Sequence, residues 1–272
     1  MNMENKGLAI YQPYGHRLPT VKVSATMNND THTAPKGRTS LGAWTMCQTW
    51  RHLPVGAARR LEPLLECSAV TRVFPQATWM TVNPRSVRRR LIKPEACSRA
   101  RRRKFFLKEP KGWRKADFRE SYQYRLIQDI WEHQVDLAGS SVYQELLGGI
   151  RRGKAFHHRT GRRHFVVDTE EGLFDDMSGY LKIMQGMQAD GYRIDAAPNE
   201  LTVTVAANGE LLATSGGKRR LAMAQVLGLT RTPTRISHMR SAWARNHARD
   251  AREPACEALM RVMQTFPGGS LA

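Results

Sequence analysis

A glycine-led cluster of positive charge stands in the C-terminal half of the 272-residue chain. Its residues are Ser215-Gly216-Gly217-Lys218-Arg219-Arg220, which we call the basic box. Glycines allow a tight turn whose backbone amides can face a ligand. The segment after them has the pattern of a helix, and a helix start presents unpaired N–H groups and the positive end of the dipole. Cations there cost about 0.3–1 kcal/mol each when exposed, so the pattern predicts a bound anion, such as a phosphate, that compensates them.

The same residues are compatible with a basic turn that binds no ligand. In that interpretation one arginine pairs with a nearby carboxylate and water solvates the other cations. The favourable electrostatics of anion binding at a helix start do not decide between these two interpretations. A Walker phosphate loop is excluded, because it requires glycine where the chain has Leu212 and serine or threonine where it has Arg219.

The charge of the whole chain favours polyanionic partners. Lysine and arginine number 43 against 24 acidic residues, which gives a net charge of +19. Such a field attracts nucleic acids, nucleotides or an acidic membrane surface. The stretch from Arg85 to Lys104 holds ten basic residues and one acidic residue, Glu95. In this stretch we predict nucleic-acid contacts, with a solvated basic face as the alternative, by Arg88, Arg89, Arg90, Arg101, Arg102, Arg103 and Lys104.

A second basic stretch, from Arg151 to His164, includes three histidines. The spacing of His157, His158 and His164 fits no standard metal pattern, and the arginines among them would repel a cation. We therefore predict no metal site there. The four cysteines contain no C-x-x-C pair, which indicates reduced thiols rather than a zinc site or a disulfide framework.

The elements that must position the basic box form a regular series. Residues 201–205 alternate as a strand, and Asn208-Gly209 is the strongest hairpin signal in the chain. Residues 210–214 return as a second strand, a helix follows from Lys218 to about Leu227, and 232–236 form one more short strand.

The upstream half reads as mostly helical. Apolar periodicity covers 117–150, with a break at Gly139-Ser140, and 180–189, where Gly191 is the natural stop. A short helix is predicted within 55–65, and a strand over 73–82 that ends at Asn83-Pro84. Residues 88–104 fit either a helix or a link.

This order of elements resembles the ParB/sulfiredoxin superfamily. ParB-type domains carry a Gly-x-Arg-Arg box after a hairpin, then a helix with small residues, a Leu-Gly pair and a short strand. Here Gly217, Arg219 and Arg220 occupy the box, and Ala222 and Ala224 supply the small residues. Two upstream stretches are also similar to the family: Asn83-Pro84-Arg85, with compressed spacing, and the helix with a glycine over 181–191.

The resemblance implies an α+β fold, with a ParB/sulfiredoxin-like core of a small mixed sheet and flanking helices, and a large basic helical insertion. The expected organisation is a flexible N-terminal arm at 1–40, the start of the ParB-like domain at 41–87, a basic, mostly helical insertion at 88–170, the core with the box at 171–245, and a C-terminal tail at 246–272. With no run of ~18 apolar residues and no stretch of signal-peptide type, we expect a cytoplasmic protein.

The resemblance also implies a phosphate site, since this box grips the phosphates of CTP in ParB proteins. The leading expectation is a ParB-like nucleotide- or nucleic-acid-binding protein associated with DNA or RNA, whose cofactor would be CTP or ATP/ADP with Mg²⁺. Lys218 stands where sulfiredoxins have their reactive cysteine, so sulfinic acid reductase activity is not expected. The 36 residues after Ile236 are too few for the two further domains of a complete partition protein.

Two other functions stay open at this point. One is a phosphotransferase or nuclease of the same fold, with Arg219 and Arg220 holding phosphate and Glu210 or Asp175 handling a proton or metal. Either carboxylate is otherwise an ordinary surface acid. The other is an accessory protein whose basic surface docks on an acidic partner. The oligomeric state does not follow from the sequence.

Overall fold

A computed structural model describes residues 41–75, 78–92, 103–107, 114–160, 163–193, 201–214, 216–241, 246 and 252–264. Over these residues the protein is a mixed α+β protein with eight helices and a seven-stranded mixed sheet, which confirms the expected class at this level. The predicted N-terminal arm, Ser215, Arg101 and Arg102 lie outside the described residues.

The helices and strands are as follows. The helices are α1 Leu41–His52, α2 Val55–Ala58, α3 Cys67–Val73, α4 Tyr122–Glu132, α5 Ser141–Arg151, α6 Glu170–Asp190, α7 Lys218–Val226 and α8 Ala255–Gln264. The strands are β1 Trp79–Val82, β2 Arg89–Ile92, β3 Phe106–Leu107, β4 Arg114–Asp117, β5 Phe156–Thr160, β6 Arg163–Val167, β7 Thr202–Val205, β8 Leu211–Ala213 and β9 Thr232–Arg240. Short 3₁₀ turns cover Glu62–Leu64, Pro84–Ser86 and Leu137–Gly139.

The chain divides into two compact units. The hairpin unit takes residues 129–185, and the sheet unit takes the described residues of 32–128 and 186–272. The predicted insertion at 88–170 does not coincide with the hairpin unit, because its first part contributes β2, β3 and β4 to the main sheet. Strands β2 and β3 pair with β8 and β9, which lie far along the chain, and β4 pairs with β2. Local periodicity carries no signal for such pairing.

The seven-stranded sheet has the order β1-β9-β7-β8-β2-β4, with β3 paired to the end of β9. Strand β7 runs parallel to β9 and antiparallel to β8, so it lies between two neighbours. All four residues of β7 are buried. The hydroxyl of Thr202 on this strand lies 2.7 Å from the hydroxyl of Thr214, the residue after β8. The central strand therefore fixes the position of the β7–β8 hairpin.

The series predicted around the basic box is confirmed. Strand, hairpin, strand, helix and strand follow in the expected order as β7, β8, α7 and β9. Gly209 in the hairpin turn has φ 82° and Gly228 after α7 has φ 71°, a backbone region where glycine carries no steric cost. The local turn signals were therefore sufficient for this part of the chain.

Three other segments differ from the predictions. Residues 67–73 form α3, and the strand predicted from Val73 begins only at Trp79. Burial of Ala69 and Val70 in the core outweighs the β propensity of this segment. Helix α6 begins at Glu170, ten residues before the predicted start at Tyr180. The region predicted as a C-terminal tail contains α8, whose Leu259 is 2% exposed.

An aromatic cluster joins the first helices of the sheet unit to its sheet. The ring of Trp50 on α1 lies 5.8 Å from that of Phe74 and 5.5 Å from that of Phe106 on β3. Phe105 and Phe106 meet edge to face at 5.0 Å. Such pairs add about 0.5–1.5 kcal/mol each beyond the area that they bury. They explain why the two-residue strand β3 is held against β9.

In the hairpin unit, one buried carboxylate joins two helices. Asp129 on α4 is 8% exposed and accepts hydrogen bonds from the backbone N–H of Val142 at 3.0 Å and from the hydroxyl of Ser141 at 3.1 Å. Both donors belong to the first turn of α5, where a negative charge also meets the positive end of the helix dipole.

We expect Asp129→Ala to lower the free energy of unfolding of the hairpin unit by about 1–3 kcal/mol, because a buried N–H loses its acceptor. Hydrogen exchange of the α5 amides would measure the loss. Asp175→Ala removes an exposed carboxylate from the same unit and should change stability by less than about 0.5 kcal/mol. Equal effects of the two substitutions would contradict this role for Asp129.

Two cysteines of the sheet unit are free thiols, Cys47 buried and Cys67 half-buried. Burial raises the pKa of the Cys47 thiol to about 12 and that of the Cys67 thiol to about 12 as well. The Cys67 thiol donates a hydrogen bond to the carbonyl of Ser237 at 3.1 Å. Since the thiolate is the disfavoured form, the stability that these groups contribute is complete below pH 9 and is lost as pH rises toward 12.

We expect Cys47 and Cys67 to react with iodoacetamide at pH 8 roughly a thousandfold more slowly in the folded protein than in urea, because only the thiolate attacks. Peptide mass spectrometry would give the rate for each cysteine. Rates in the folded protein that match those in urea would show that the two thiols are accessible.

No helix among the described residues is long and apolar enough to cross a membrane.

Candidate phosphate-binding site

The basic box lies between β8 and α7, at the point where the chain leaves the sheet. Gly217 is the residue before the helix and has φ 68° and ψ 16°, a left-handed conformation that L-residues adopt only with strain. Gly217, at the N-cap position, offers no side chain to cap this helix start, and the first turn contains no acidic residue. The arrangement turns the first N–H groups of α7, together with three cationic residues, toward one end of the helix.

Hydrogen bonds to β7 hold the strand that leads into the basic box. The hydroxyl of Thr214 donates to the carbonyl of Thr202 at 2.9 Å. The backbone N–H and the hydroxyl of Thr202 both lie 3.4 Å from the carbonyl of Gly216. These long contacts reach across the position of Ser215 and tie Gly216 to the central strand, so the turn starts from a fixed point.

Arg220 has a defined position within the box. Its guanidinium carbon lies 5.9 Å from the centre of the Tyr192 ring, and its Nη1 donates to the Tyr192 hydroxyl at 3.3 Å. Tyr192 follows Gly191, which ends α6 with φ 76°. A guanidinium has five N–H donors, and this bond uses one of them. Tyr192 therefore orients Arg220, a contact that the sequence analysis did not anticipate.

The Asn83-Pro84-Arg85 segment also contacts α7, but at its other end. The side-chain amide of Gln225 donates to the carbonyl of Pro84 at 2.8 Å and to that of Val87 at 3.0 Å. Gln225 is 5% exposed. The sequence analysis missed this residue, although its position four residues after the buried Leu221 places it on the inward face of the helix.

The basic stretch predicted to contact nucleic acid is divided by the fold. Arg89 and Arg90 are successive residues of β2, so their side chains project from opposite faces of the sheet. The Lys104 ammonium donates to the carbonyl of Leu64 at 3.0 Å, which ends a 3₁₀ turn. Arg88 and Arg103 are exposed. Among the described residues, the fold thus leaves Arg88, Arg89 and Arg103 at the surface, while Lys104 bonds a backbone carbonyl.

Of the two carboxylates considered for catalysis, Glu210 does not join the basic box. Glu210 lies at the turn of the β7–β8 hairpin, at the opposite end of β8, roughly 20 Å away by the rise of an extended chain. There its carboxylate lies 2.6 Å from the Lys115 ammonium and 3.5 Å from Arg89 Nε. Asp175 is an exposed residue of α6 in the hairpin unit.

The second basic stretch forms part of the β5–β6 hairpin. The backbone of His158 pairs with Phe165 and that of Arg159 with His164, and His157 is exposed. Among the residues whose side chains are described, no group of three or more histidine, cysteine or acidic residues is arranged to hold a metal ion.

The chemistry available at the basic box is the binding of an anion, through N–H groups of a helix start and through lysine and arginine side chains. Its residues from Gly216 to Arg220 are half-buried, so each is partly open to solvent. Comparisons of the chain with protein-family models, with curated proteins and with solved structures return no match.

Proposed function

We propose that the protein binds the phosphates of a nucleotide or nucleic acid at the basic box, within a ParB/sulfiredoxin-like core that carries a basic insertion. The observation that carries this proposal is the left-handed Gly217, which opens α7 onto three consecutive cations. A phosphate would accept hydrogen bonds from the helix start and would offset the mutual repulsion of Lys218, Arg219 and Arg220.

Two features of the fold support the resemblance on which the finer assignment rests. The elements β7, β8, α7 and β9 follow one another in the order expected for a Gly-x-Arg-Arg box. The segment with Asn83 and Pro84 comes directly after β1 and is bonded to α7 through Gln225. Two of the three motifs used for the resemblance, the box and the segment with Asn83 and Pro84, therefore meet on α7.

The openness of the box favours nucleic acid over a free nucleotide. An enclosed site surrounds a small ligand, whereas a half-exposed helix start admits a phosphate that continues into a polymer on both sides. The net charge of +19 adds a sequence-independent attraction to a polyanion. We therefore infer that the phosphates belong to a DNA or RNA backbone.

The position of Glu210 favours binding over catalysis. A phosphotransferase or nuclease needs a carboxylate beside the phosphate to orient the nucleophile or to hold Mg²⁺. Glu210 instead pairs with Lys115 and Arg89 at the far end of β8. Glu210 is therefore too far from the basic box to contact a phosphate that is bound there.

Fluorescence anisotropy with a labelled 24-base-pair duplex and with single strands of DNA and RNA tests the proposal. We expect binding at ~50 mM salt, with the logarithm of affinity falling linearly as the logarithm of salt concentration rises, by about 0.9 per phosphate contacted on a duplex. A protein that binds none of these nucleic acids at ~50 mM salt, and no nucleotide in a thermal-shift screen, would contradict the proposal.

A further inference from the structure

A cavity with an apolar floor lies at the other end of the β7–β8 hairpin, away from the basic box. It has a volume of about 220 Å³. Its polar lining consists of Lys115 on β4, Asn208 in the hairpin turn and Arg240 at the end of β9. Its apolar lining includes Leu91, Ala206 and Leu212, which form a cluster of buried residues.

The strand register explains why these residues meet. Leu91 is the antiparallel partner of Lys115, and Arg89, two residues before Leu91, is the parallel partner of Leu212. Side chains at paired positions, and at every second position along a strand, lie on the same face of a sheet. Because four different strands supply the lining, the cavity is part of the folded sheet rather than of one loop.

The charge at this cavity is positive. Arg240 is only 5% exposed, although it carries a full charge at any physiological pH. On the same face, Arg89 and Lys115 share the Glu210 carboxylate, and the Asp117 carboxylate accepts a hydrogen bond from the backbone N–H of Arg119. Of the residues that line the cavity, Lys115 and Arg240 are thus cationic and none is acidic, while Glu210 beside it pairs with Lys115.

We propose that this cavity binds a small anion with an apolar body, such as an aromatic or aliphatic phosphate or carboxylate. The apolar floor would take the body, because Leu91, Ala206 and Leu212 offer it no hydrogen-bonding side chain. The anionic end would accept charge-assisted hydrogen bonds from Lys115 and Arg240. The amide of Asn208 adds a donor and an acceptor at the rim. The roughly 20 Å that separates the cavity from the basic box makes it a separate site.

Nuclear magnetic resonance of the full chain, with phenyl phosphate as the probe, tests this assignment. We expect phenyl phosphate to shift the backbone amides of Leu91, Asn208 and Leu212. Inorganic phosphate and phenol each carry one half of the probe, and we expect them to bind there at least tenfold more weakly. Cavity amides that stay unmoved at 10 mM phenyl phosphate, or that respond equally to inorganic phosphate, would overturn the proposal.

Two substitutions locate the binding. Ala207 also lines the cavity, and Ala207→Phe fills it without removing a charge and should abolish the shifts. Lys115→Gln, at a side chain that is 33% exposed, should weaken binding roughly fivefold to tenfold. Unchanged affinity in Lys115→Gln would overturn the assignment even if Ala207→Phe failed to fold. Shifts confined to Gly216 and Gly217 would place the phosphate at the basic box alone, which would reject this cavity and leave the proposed function intact.

Discussion

Replacing Lys218, Arg219 and Arg220 together by alanine should lower the affinity for duplex DNA roughly 100-fold at ~50 mM salt. Three contacts worth about 1 kcal/mol each account for a loss of that size. The dependence of affinity on salt should also become shallower by about two to three units in the log–log slope, because fewer phosphates are neutralised. Anisotropy titrations at several salt concentrations measure both quantities.

A charge-matched variant separates the basic box from the general field of the protein. Arg59, Arg60 and Arg72 are exposed residues of the same unit, and their replacement by alanine removes the same charge. We expect this control to weaken binding only severalfold, through the long-range field. If the control and the box variant lost affinity equally, the phosphates would be bound by the overall charge and not by the box.

The success of the sequence analysis around the box has a local cause. Asn208-Gly209 specifies a tight turn, the alternation at 202–205 specifies a strand, and Gly217 specifies a left-handed residue before a helix. Each signal lies within a few residues of the feature that it predicts. None of them requires knowledge of what packs against the segment, and for this reason the series could be predicted in order.

The strands upstream gave no comparable signal. β2 has the sequence Arg-Arg-Leu-Ile and β4 has Arg-Lys-Ala-Asp, which read as surface residues of a helix or link. What makes them strands is the parallel pairing of Arg89 with Leu212 and the antiparallel pairing of β4 with β2. Pairing between distant segments does not change local periodicity and cannot be detected from it. The predicted insertion therefore began at the basic stretch, although β2, β3 and β4 belong to the main sheet.

The candidate site shows the same division. The residues of the basic box could be named from their types and spacing, because glycines and cations at a helix start have a chemistry that is visible in the sequence. Tyr192, which orients Arg220, is an ordinary aromatic residue after a helix until the fold brings it to the box. Lys104 was predicted to contact nucleic acid, but it donates a hydrogen bond to the carbonyl of Leu64. Only the tertiary structure brings these two residues together, because they lie far apart in the sequence.

Replacing Gln225 by leucine should lower the stability of α7 by about 2–4 kcal/mol. Leucine has nearly the same shape, but it leaves the carbonyls of Pro84 and Val87 without the donors that lie 2.8 and 3.0 Å from them. Each buried acceptor that loses its partner costs about 1–3 kcal/mol. Urea unfolding followed by tryptophan fluorescence, together with hydrogen exchange of the α7 amides, measures the global and the local loss.

Gln188→Leu is the matched control, because it makes the same change on an exposed face of α6 and should alter stability by less than about 0.5 kcal/mol. The Gln225 amide bonds the segment after β1 to α7, the helix that begins at the basic box. Without this amide the start of α7 is held less firmly, and we therefore expect Gln225→Leu to weaken DNA binding as well. A Gln225→Leu protein with unchanged exchange rates in α7 would show that packing alone holds the helix. Reduced stability with unchanged DNA affinity would show that the box needs only its own turn, fixed by Gly217, Thr202 and Thr214.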